Sequence, residues 1–348
     1  MLKKENFTAE HVDEVRAAKG GDPLLIERTV FAFGLLEALV RVGLKFTFKG
    51  GTSLMLLLKK PRRLSTDIDI IVNPGTDLDA ALDAAAKIFP FVSREEQRRV
   101  GKNNIVKRHF KFVYDSPKMG RQSYILLDVL FENDHYAHKD TRKIENEILL
   151  TDDLPSVVTL PDVDSVLGDK LTAFAPHTIG VLFGQDKEME NAKQMYDVCT
   201  LLDEVKDSAR VRETYVAVAQ SEAAYRGLAF DIDSFLTDTY NAAACIASRG
   251  RLFPEDFPLL MKGIRDVKNH VFGERYNAEI AAIRAVKVMF AAKCLMTDRA
   301  YPDALDPDVA QSEDLSPELR PMKYIRSQDR MAWAMLVTMC QMSFMAEK

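Results

Sequence analysis

The sequence predicts an α+β fold, in which a mixed sheet with accompanying helices is followed by a region built from helices alone. Up to about Leu160, short extended apolar runs alternate with helical patterns. From about Asp162 onward, apolar residues recur only at helical spacing, as Leu260, Ile264, Val267 and Val271 do. A length of 348 residues favours about two domains. We therefore predict domains at 1–161 and 162–348.

The elements of the first half follow from local signals. Asp22 is a candidate N-cap and Pro23 suits the first turn, so a long apolar helix is predicted from there to Val42. Further along, we predict strands at 44–48, 67–72, 105–114 and 123–131 and helices at 53–59 and 77–89. The last two strands are joined by the turn 115–120, which makes them a hairpin.

One segment of the second half interrupts the helical pattern. Residues 297–321 hold four prolines and seven acidic residues against two basic ones. Such a composition disfavours a helix, so we predict a loop or an extended arm.

Composition narrows the class of protein. The chain has 47 Lys+Arg against 52 Asp+Glu and a net charge of −5, with 47% hydrophobic residues, which excludes disordered, collagen-like and coiled-coil chains. A wholly basic nucleic-acid binder is also excluded. The charge is segregated, however: 297–321 is acidic, whereas 94–111 carries seven basic residues against two acidic ones.

Signals for export and membrane insertion are lacking in the sequence. Lys3 and Lys4 are not followed by an apolar stretch of the signal-peptide kind. The longest uncharged run, 331–346, is shorter than the ~20 apolar residues of a membrane span. The four cysteines are widely spaced and predict buried, reduced thiols without zinc, so we expect a cytoplasmic protein.

Two carboxylates on one strand are the first candidate for chemistry. Side chains alternate along a strand, so Asp67 and Asp69 point to one face while Ile68 and Ile70 point to the core. Adjacent carboxylates repel unless a cation lies between them, and Mg²⁺ commonly takes one or two carboxylates together with substrate phosphates. Taken alone, this pair would more often be a solvated strand end or turn.

A glycine pair upstream adds a phosphate site. Gly50 and Gly51 permit a tight turn between a strand and a helix. The backbone amides of Gly51, Thr52 and Ser53 would then form a helix N-terminus suited to a triphosphate. A lone Gly-Gly is more often an ordinary turn. A phosphate cradle about 14 residues from paired carboxylates is far more specific, so the functional interpretation is preferred.

Asp128 is a candidate third metal ligand. It lies inside the apolar strand 124–131, where an unpaired carboxylate would be costly to bury. Three carboxylates on neighbouring strands are the arrangement used for two-metal nucleotidyl transfer. The alternative is a carboxylate satisfied by backbone amides or by an arginine.

These segments resemble a known family. Residues 48–54 (FKGGTSL) and 62–70 (RRLSTDIDI) are similar to the signature of the AbiEii/AbiGii-type nucleotidyltransferase toxins, which include the mycobacterial MenT toxins. The resemblance is sharpest from Asp22 to Val72 and resumes at 165–202. It implies a DNA polymerase β-like nucleotidyltransferase core with a mixed sheet, followed by an all-helical C-terminal domain.

The resemblance also implies site residues. Lys170, in the segment LGDKLTA, and Asp197, in KQMYDV, match positions needed for activity beside the metal carboxylates. Lys170 would neutralise triphosphate charge, and Asp197 would hold Lys170 or Lys193 or orient the acceptor hydroxyl. Without the first motif, a solvated Lys170 and a surface pair of Lys193 with Asp197 would be preferred. The nucleotide-binding candidates are Lys49, Gly50, Gly51, Thr52, Ser53, Arg63, Ser65 and Lys170.

The implied activity is transfer of a nucleoside monophosphate from an NTP to RNA, with Mg²⁺ or Mn²⁺ as cofactor. The implied acceptor is the 3′ end of tRNA, so that translation and growth stop, and the implied partner is a cognate antitoxin protein or its gene. The basic stretches near the carboxylates favour an RNA backbone, although a solvated basic face is equally typical of them. The RNA-contact candidates are Arg62, Arg98, Arg99, Lys102, Lys107 and Arg108.

Two other functions stay open at this point. The same core could label a protein hydroxyl, or the chain could be a non-catalytic nucleotide-binding module. The full set of Asp67, Asp69, Asp128, Lys170 and Asp197 argues against a module that only binds, because binding alone does not require a metal triad. The histidines, His109 among them, show no ligand spacing and are assigned no role.

Overall fold

The computed structural model describes residues 1–97, 107–301, 305–311 and 313–345, and the chain divides into two compact units. The first unit comprises Met1–Asp162 together with Asn269–Arg275. The second comprises Val163–Lys268 and Tyr276–Lys348.

The first unit combines strands and helices in the alternating order that the sequence predicts. Its helices are α1 (Ala9–Lys19), α2 (Pro23–Arg41), α3 (Gly50–Leu57) and α4 (Asp79–Ala85). Its strands are β1 (Thr47–Lys49), β2 (Asp67–Val72), β3 (Phe91–Gln97), β4 (Lys107–Ser116), β5 (Arg121–Phe131), β6 (Lys139–Lys143) and β7 (Val157–Pro161).

Five of these strands form a mixed sheet in the order β1-β2-β5-β4-β3. The central pair, β2 and β5, is parallel, and the other neighbours are antiparallel. Strands β6 and β7 form a separate antiparallel pair. The mixed sheet confirms the predicted fold class, and the hairpin β4–β5 is confirmed with its turn at 117–120.

The two faces of the sheet differ in character, because side chains alternate along each strand. One face of β4 and β5 is fully buried and carries apolar side chains: Phe110, Phe112, Tyr114, Ile125 and Leu127. The opposite face of the same strands is half-exposed or exposed throughout and carries Lys107, His109, Lys111, Tyr124 and Asp128. The second face is therefore the one available to a ligand.

Helix α2 packs on the apolar face and fixes the hairpin. Asp22 caps it by accepting hydrogen bonds from the amides of Leu24 and Leu25, as predicted. The carboxylate of Glu27, 1% exposed, accepts hydrogen bonds from the hydroxyls of Tyr114 and Ser116 and from the amide of Lys118. A buried carboxylate with three donors is satisfied, so Glu27 fastens the hairpin turn to the helix.

Every regular element in the described part of the second unit is a helix, as the sequence predicts. Its helices are α5 (Val163–Ala173), α6 (Glu188–Leu201), α7 (Ser208–Arg226), α8 (Ile232–Ala247), α9 (Phe257–Val267), α10 (Ala278–Met296), α11 (Pro307–Ala310) and α12 (Arg330–Met345). Helix α10 is buried along most of its length and forms the centre of the unit. No helix within the described ranges is both long and apolar enough to cross a membrane.

The described part of the acidic segment 297–321 is mostly loop and turn, one of the two predicted forms, with the short helix α11 inside it, and it is not an extended arm. In its described part, Leu315 and Leu319 are 6% exposed, and the Trp333 indole donates a hydrogen bond to the Ala310 carbonyl at 2.8 Å. Apolar residues spaced between the acids therefore pack against α12.

Several elements have weak signals in the sequence. Strand β3 carries charges on three of its seven residues and buries only Phe91, as an edge strand can. The predicted helix 77–89 is shortened to Asp79–Ala85. All four cysteines are unpaired; three are buried, whereas Cys340 is half-buried.

Candidate active site

The paired carboxylates lie on the exposed face of the central parallel strands. Asp67 and Asp69 are half-exposed, while Ile68 and Ile70, which alternate with them, are buried, as predicted. In the parallel register, Asp69 is the direct neighbour of Asp128. The side chains of Asp67 and Asp128 are 48% and 39% exposed. All three carboxylates are therefore within reach of a ligand on one face of the sheet.

The glycine turn is built around Asp69. Gly50 has a φ of +80°, and a Cβ placed there would lie 2.7 Å from the Asp69 Cγ and nearer still to its Oδ2. Only glycine fits both the backbone conformation and the space. The Thr52 hydroxyl donates to the Asp67 carbonyl at 2.6 Å, which attaches α3 to β2. Ser53 closes the turn by donating to the Gly50 carbonyl.

The N-terminus of α3 is open for an anion. The helix begins at Gly50, and the N-cap residue, Lys49, makes no side-chain capping hydrogen bond. Unsatisfied amides and the helix dipole both favour a negative group there. The hydroxyls of Thr52 and Ser53 are engaged internally, so these residues would offer their amides.

Arg63 and Ser65 border the same turn. A Cβ on Gly51 would lie 2.6 Å from the Arg63 Nη2 and 2.8 Å from the Ser65 Oγ. Arg63 as a whole is 7% exposed, and its Nη1 donates a hydrogen bond to the Leu64 carbonyl. Gly51, Arg63 and Ser65 thus come together as the sequence predicts.

A segment distant in sequence holds this loop in place. The amide of Leu64 donates to the His270 carbonyl at 2.7 Å, and the amide of Phe272 donates to the Arg62 carbonyl at 2.9 Å. Residues 62–64 and 270–272 thus pair as a short bridge within the first unit. Helical spacing in the sequence assigns Val271 to a helix, and this assignment is wrong.

Two partners of the carboxylates were not assigned a role from the sequence. His109 lies opposite Asp128 in the hairpin, with 2.7 Å between its Nδ1 and the Asp128 Oδ1. Arg28 of α2 places its Nη2 at 3.5 Å from the Asp67 Oδ1. The signal for His109 is the hairpin register: once Ser116 faces Arg121, His109 must face Asp128. Arg28 has no comparable signal.

The donor set suits a hard divalent cation, although it is not a preformed centre. Carboxylate oxygens are the ligands that Mg²⁺ prefers, and those of Asp67 and Asp128 reach solvent. Among the described residues, no group of three or more His, Cys, Asp or Glu side chains converges in a metal-holding arrangement. A cation shared by all three carboxylates would require side-chain rotation.

Lys170 and Asp197 form a buried pair in the second unit. The Lys170 Nζ lies 3.1 Å from the Asp197 Oδ2 and donates to the Gln194 Oε1 at 2.9 Å. Their side chains are 9% and 2% exposed. Lys170 is therefore not a solvated helix lysine. Two of its three N–H groups have partners, which leaves one for a ligand.

The basic RNA-contact candidates are not equivalent. Lys107 is exposed on the face of the carboxylates, whereas Arg108 points to the opposite face. The hydrogen bonds that Arg108 donates to Glu96 and Asp79 raise the pKa of Arg108 and lower the pKa of Asp79. Arg62 is paired with Glu274 at 2.5 Å. Arg98, Arg99 and Lys102 lie outside the described residues.

Two further residues on the carboxylate face can contact a nucleic acid. The Lys111 Nζ lies 4.3 Å from the centre of the Tyr124 ring, which is a cation–π distance. Tyr124 is 39% exposed. The predicted basic stretch includes Lys111 but gives no reason to single it out, because the facing strand supplies Tyr124.

Comparisons with known proteins give a family match and two structural similarities. The family model described as "Nucleotidyl transferase AbiEii toxin, Type IV TA system" matches residues 34–291. No curated protein matches the chain. Among solved structures, JHP933 from Helicobacter pylori is similar at 12% identity and a TM-score of 0.44, covering 78% of this chain and 93% of that one. A second Helicobacter pylori structure, described as a "putative nucleotidyltransferase", has the same identity and TM-score and is covered to 96%.

The similarity to these two structures is weak. The family match, in contrast, spans most of the chain and includes the glycine turn, the three carboxylates and the pair Lys170–Asp197. The family implies an NTP substrate and an antitoxin partner. The chain therefore belongs to the AbiEii family of nucleotidyltransferase toxins of type IV toxin–antitoxin systems.

Proposed function

We propose that the protein transfers a nucleoside monophosphate from an NTP to a hydroxyl of RNA, with the 3′ end of tRNA as the acceptor, and so stops translation. The observation that carries the proposal is the position of Asp69, which lies beside Asp128 on the parallel strand and against the Gly50 turn. Carboxylates and a phosphate cradle thus adjoin on one face of the sheet.

In this reaction the acceptor oxygen attacks the α-phosphorus of the NTP. The new O–P bond forms as the bond from the α-phosphorus to the bridging oxygen breaks, pyrophosphate leaves, and the hydroxyl proton passes to solvent. The amides of Gly51, Thr52 and Ser53 would bind the triphosphate at the start of α3, with Arg63 and Ser65 beside the turn. Lys49, the residue directly before the turn, is also proposed to bind the nucleotide.

Asp67, Asp69 and Asp128 would hold Mg²⁺ or Mn²⁺. When bound, the ion would lower the pKa of the acceptor hydroxyl and neutralise the charge of the leaving pyrophosphate. Arg28, at 3.5 Å from Asp67, offsets part of the carboxylate charge in the metal-free protein.

Lys170 and Asp197 complete the set of residues proposed for catalysis. Lys170 would neutralise charge on the triphosphate, and Asp197 would orient its ammonium group. The ion pair of 3.1 Å supports the role of Asp197 as a partner of Lys170.

An RNA acceptor is favoured by the composition of the carboxylate face. Lys107 and Lys111 flank His109 on β4, so one cation lies on each side of His109, the residue opposite Asp128. Tyr124 offers a ring on which a base can stack. Arg108 and Arg62 are excluded from this surface because carboxylates engage them. An antitoxin encoded nearby would neutralise the toxin, and NTP and tRNA both place its action in the cytoplasm.

The experiment is transfer of label from each α-labelled NTP to total RNA with Mg²⁺. We expect labelled tRNA with the wild type, no label after chelation of the metal, and no label with Asp69→Asn. The matched control is Asp77→Asn, an exposed aspartate beyond the end of β2, which should label normally. Label in protein instead of RNA would replace the acceptor by a protein hydroxyl. Binding of NTP without transfer would indicate a non-catalytic module.

A further inference from the structure

We propose that His109 is a positioning residue for Asp128, whose carboxylate it orients for metal binding. The inference deepens the proposed function and rests on it, since it requires Asp128 to be a metal ligand. The role of His109 itself comes from the geometry of the hairpin.

The pair is fixed by the backbone on both sides. His109 and Asp128 are direct partners in the antiparallel register of β4 and β5. Their neighbours Phe110, Leu127 and Val129 are buried on the opposite face, which holds both strands in register. The imidazole is 15% exposed, whereas the carboxylate is 39% exposed. The ring is therefore enclosed more tightly than the group it contacts.

The hydrogen bond has one direction. An ionised carboxylate only accepts, so the Nδ1 of His109 donates to the Oδ1 of Asp128 across 2.7 Å. No other hydrogen bond to Asp128 occurs within the described residues. One oxygen is thus held by the ring and the other, Oδ2, stays available to a cation. Ligating carboxylates commonly have such hydrogen-bonded supports.

The location of the pair argues against a purely structural role. It lies outside the apolar core, on the face that also carries Asp67 and Asp69, and the carboxylate is 39% exposed, so solvent screening limits what the hydrogen bond contributes to stability. Its effect is therefore expected on metal affinity.

Substitution of His109 by asparagine or by glutamine distinguishes the hydrogen bond to Asp128 from the mere volume of the side chain. The side-chain nitrogen of Asn is at the δ position, as Nδ1 of histidine is, whereas Gln carries its nitrogen one bond farther out. His109→Asn can keep the hydrogen bond to Asp128, and His109→Gln and His109→Ala cannot. A control is His177→Ala in the second unit, which removes a histidine paired with Asp256 at 2.8 Å.

The test measures binding of Mn²⁺ alone to the full chain, by titration calorimetry, with thermal unfolding recorded for each variant. We expect Kd to rise about 10-fold for His109→Gln and His109→Ala, and to stay near that of the wild type for His109→Asn and His177→Ala. In the transfer assay, the Mn²⁺ concentration giving half-maximal rate should shift in the same order.

Other outcomes separate the two ideas. Unchanged Kd in His109→Gln, or an equal loss in His109→Asn and His109→Gln, would overturn the positioning role. If Asp128→Asn bound Mn²⁺ as the wild type does, the ligand assignment and the positioning role would both be wrong. If the Mn²⁺ affinities of the variants followed the expected order but no acceptor were labelled, only the proposed reaction would be overturned, and the role of His109 would be supported.

Discussion

The α-carbon of Gly50 faces the carboxylate of Asp69 with no room between them for a side chain. A Cβ at position 50 would lie 2.9 Å from the Asp69 Cβ and 2.7 Å from its Cγ. The same glycine has a φ of +80° and begins α3. One backbone position therefore shapes both the phosphate cradle and the orientation of a proposed metal ligand.

Gly50→Ala should abolish transfer while the protein stays folded. The added methyl would displace Asp69, and a misplacement of about 1 Å at a catalytic group can cost about 100-fold in rate. The measurement is kcat for nucleotidyl transfer, together with the midpoint of thermal unfolding.

Gly75→Ala is the matched control for this change. Gly75 also has a positive φ, +84°, but nothing lies within 4 Å of its Cβ position. Both substitutions should cost about 1 kcal/mol of backbone strain, and only Gly50→Ala should lose activity. Equal activities in the two variants would contradict the role of the turn.

The buried pair of Lys170 and Asp197 predicts a separation of stability from activity. Removing one partner leaves an uncompensated buried charge, so Lys170→Met should lower the free energy of unfolding by about 3–5 kcal/mol. The double variant Lys170→Met/Asp197→Leu should regain much of this loss, because an apolar pair can replace a buried ion pair. Urea unfolding measures both.

Activity should not follow stability in this series. If Lys170 neutralises the triphosphate, the double variant stays inactive although it is well folded. Recovery of transfer in the double variant would show that the pair acts only through stability.

The pH dependence of stability can be predicted at His135. Its contact with Glu132, at 3.7 Å, raises the pKa of His135 above its ordinary value of 6.5. A raised folded-state pKa means that the contribution is fully present below pH 6.5 and is lost as the pH rises through the folded-state pKa. Wild type and His135→Gln should therefore differ more in free energy of unfolding at about pH 5.5 than at about pH 8.5. A constant difference would show that the histidine contributes no charge interaction.

The strand pattern could be predicted because its signals are local. The bounds Asp67–Val72 follow from alternation of carboxylates with isoleucines, and the start of α2 follows from Asp22 and Pro23. The turn at Gly50 also has a local signal. These residues carry in their own neighbourhood the information that determines their structure.

Other features depend on pairings between distant segments. The bridge of residues 62–64 with 270–272 joins segments more than 200 residues apart, and nothing in either segment specifies the other. The His109–Asp128 contact can be predicted only once the hairpin register is known. For Lys170, burial by other helices decided between a solvated lysine and an ion pair, and the sequence left both open.

Adjacent residues on β4 give the sharpest test of the RNA surface. Lys107 is exposed on the carboxylate face, whereas Arg108 points to the other face and binds Glu96 and Asp79. Lys107→Ala should weaken RNA binding and lower the slope of log K against log salt by about 0.7–0.9, the value for one lost phosphate contact.

Arg108→Ala should lower the stability of the protein without affecting RNA binding. RNA affinity and its salt slope should stay unchanged, because the guanidinium is held away from the carboxylate face. The free energy of unfolding should fall by about 1 kcal/mol, since Glu96 loses its arginine, Asp79 is left with Arg94, and the ring of Phe110 loses a cation at 4.9 Å. Fluorescence anisotropy with labelled tRNA across a salt series and urea unfolding measure the two effects. Equal losses of RNA affinity in both variants would show that the acceptor does not lie on the face that carries Asp128.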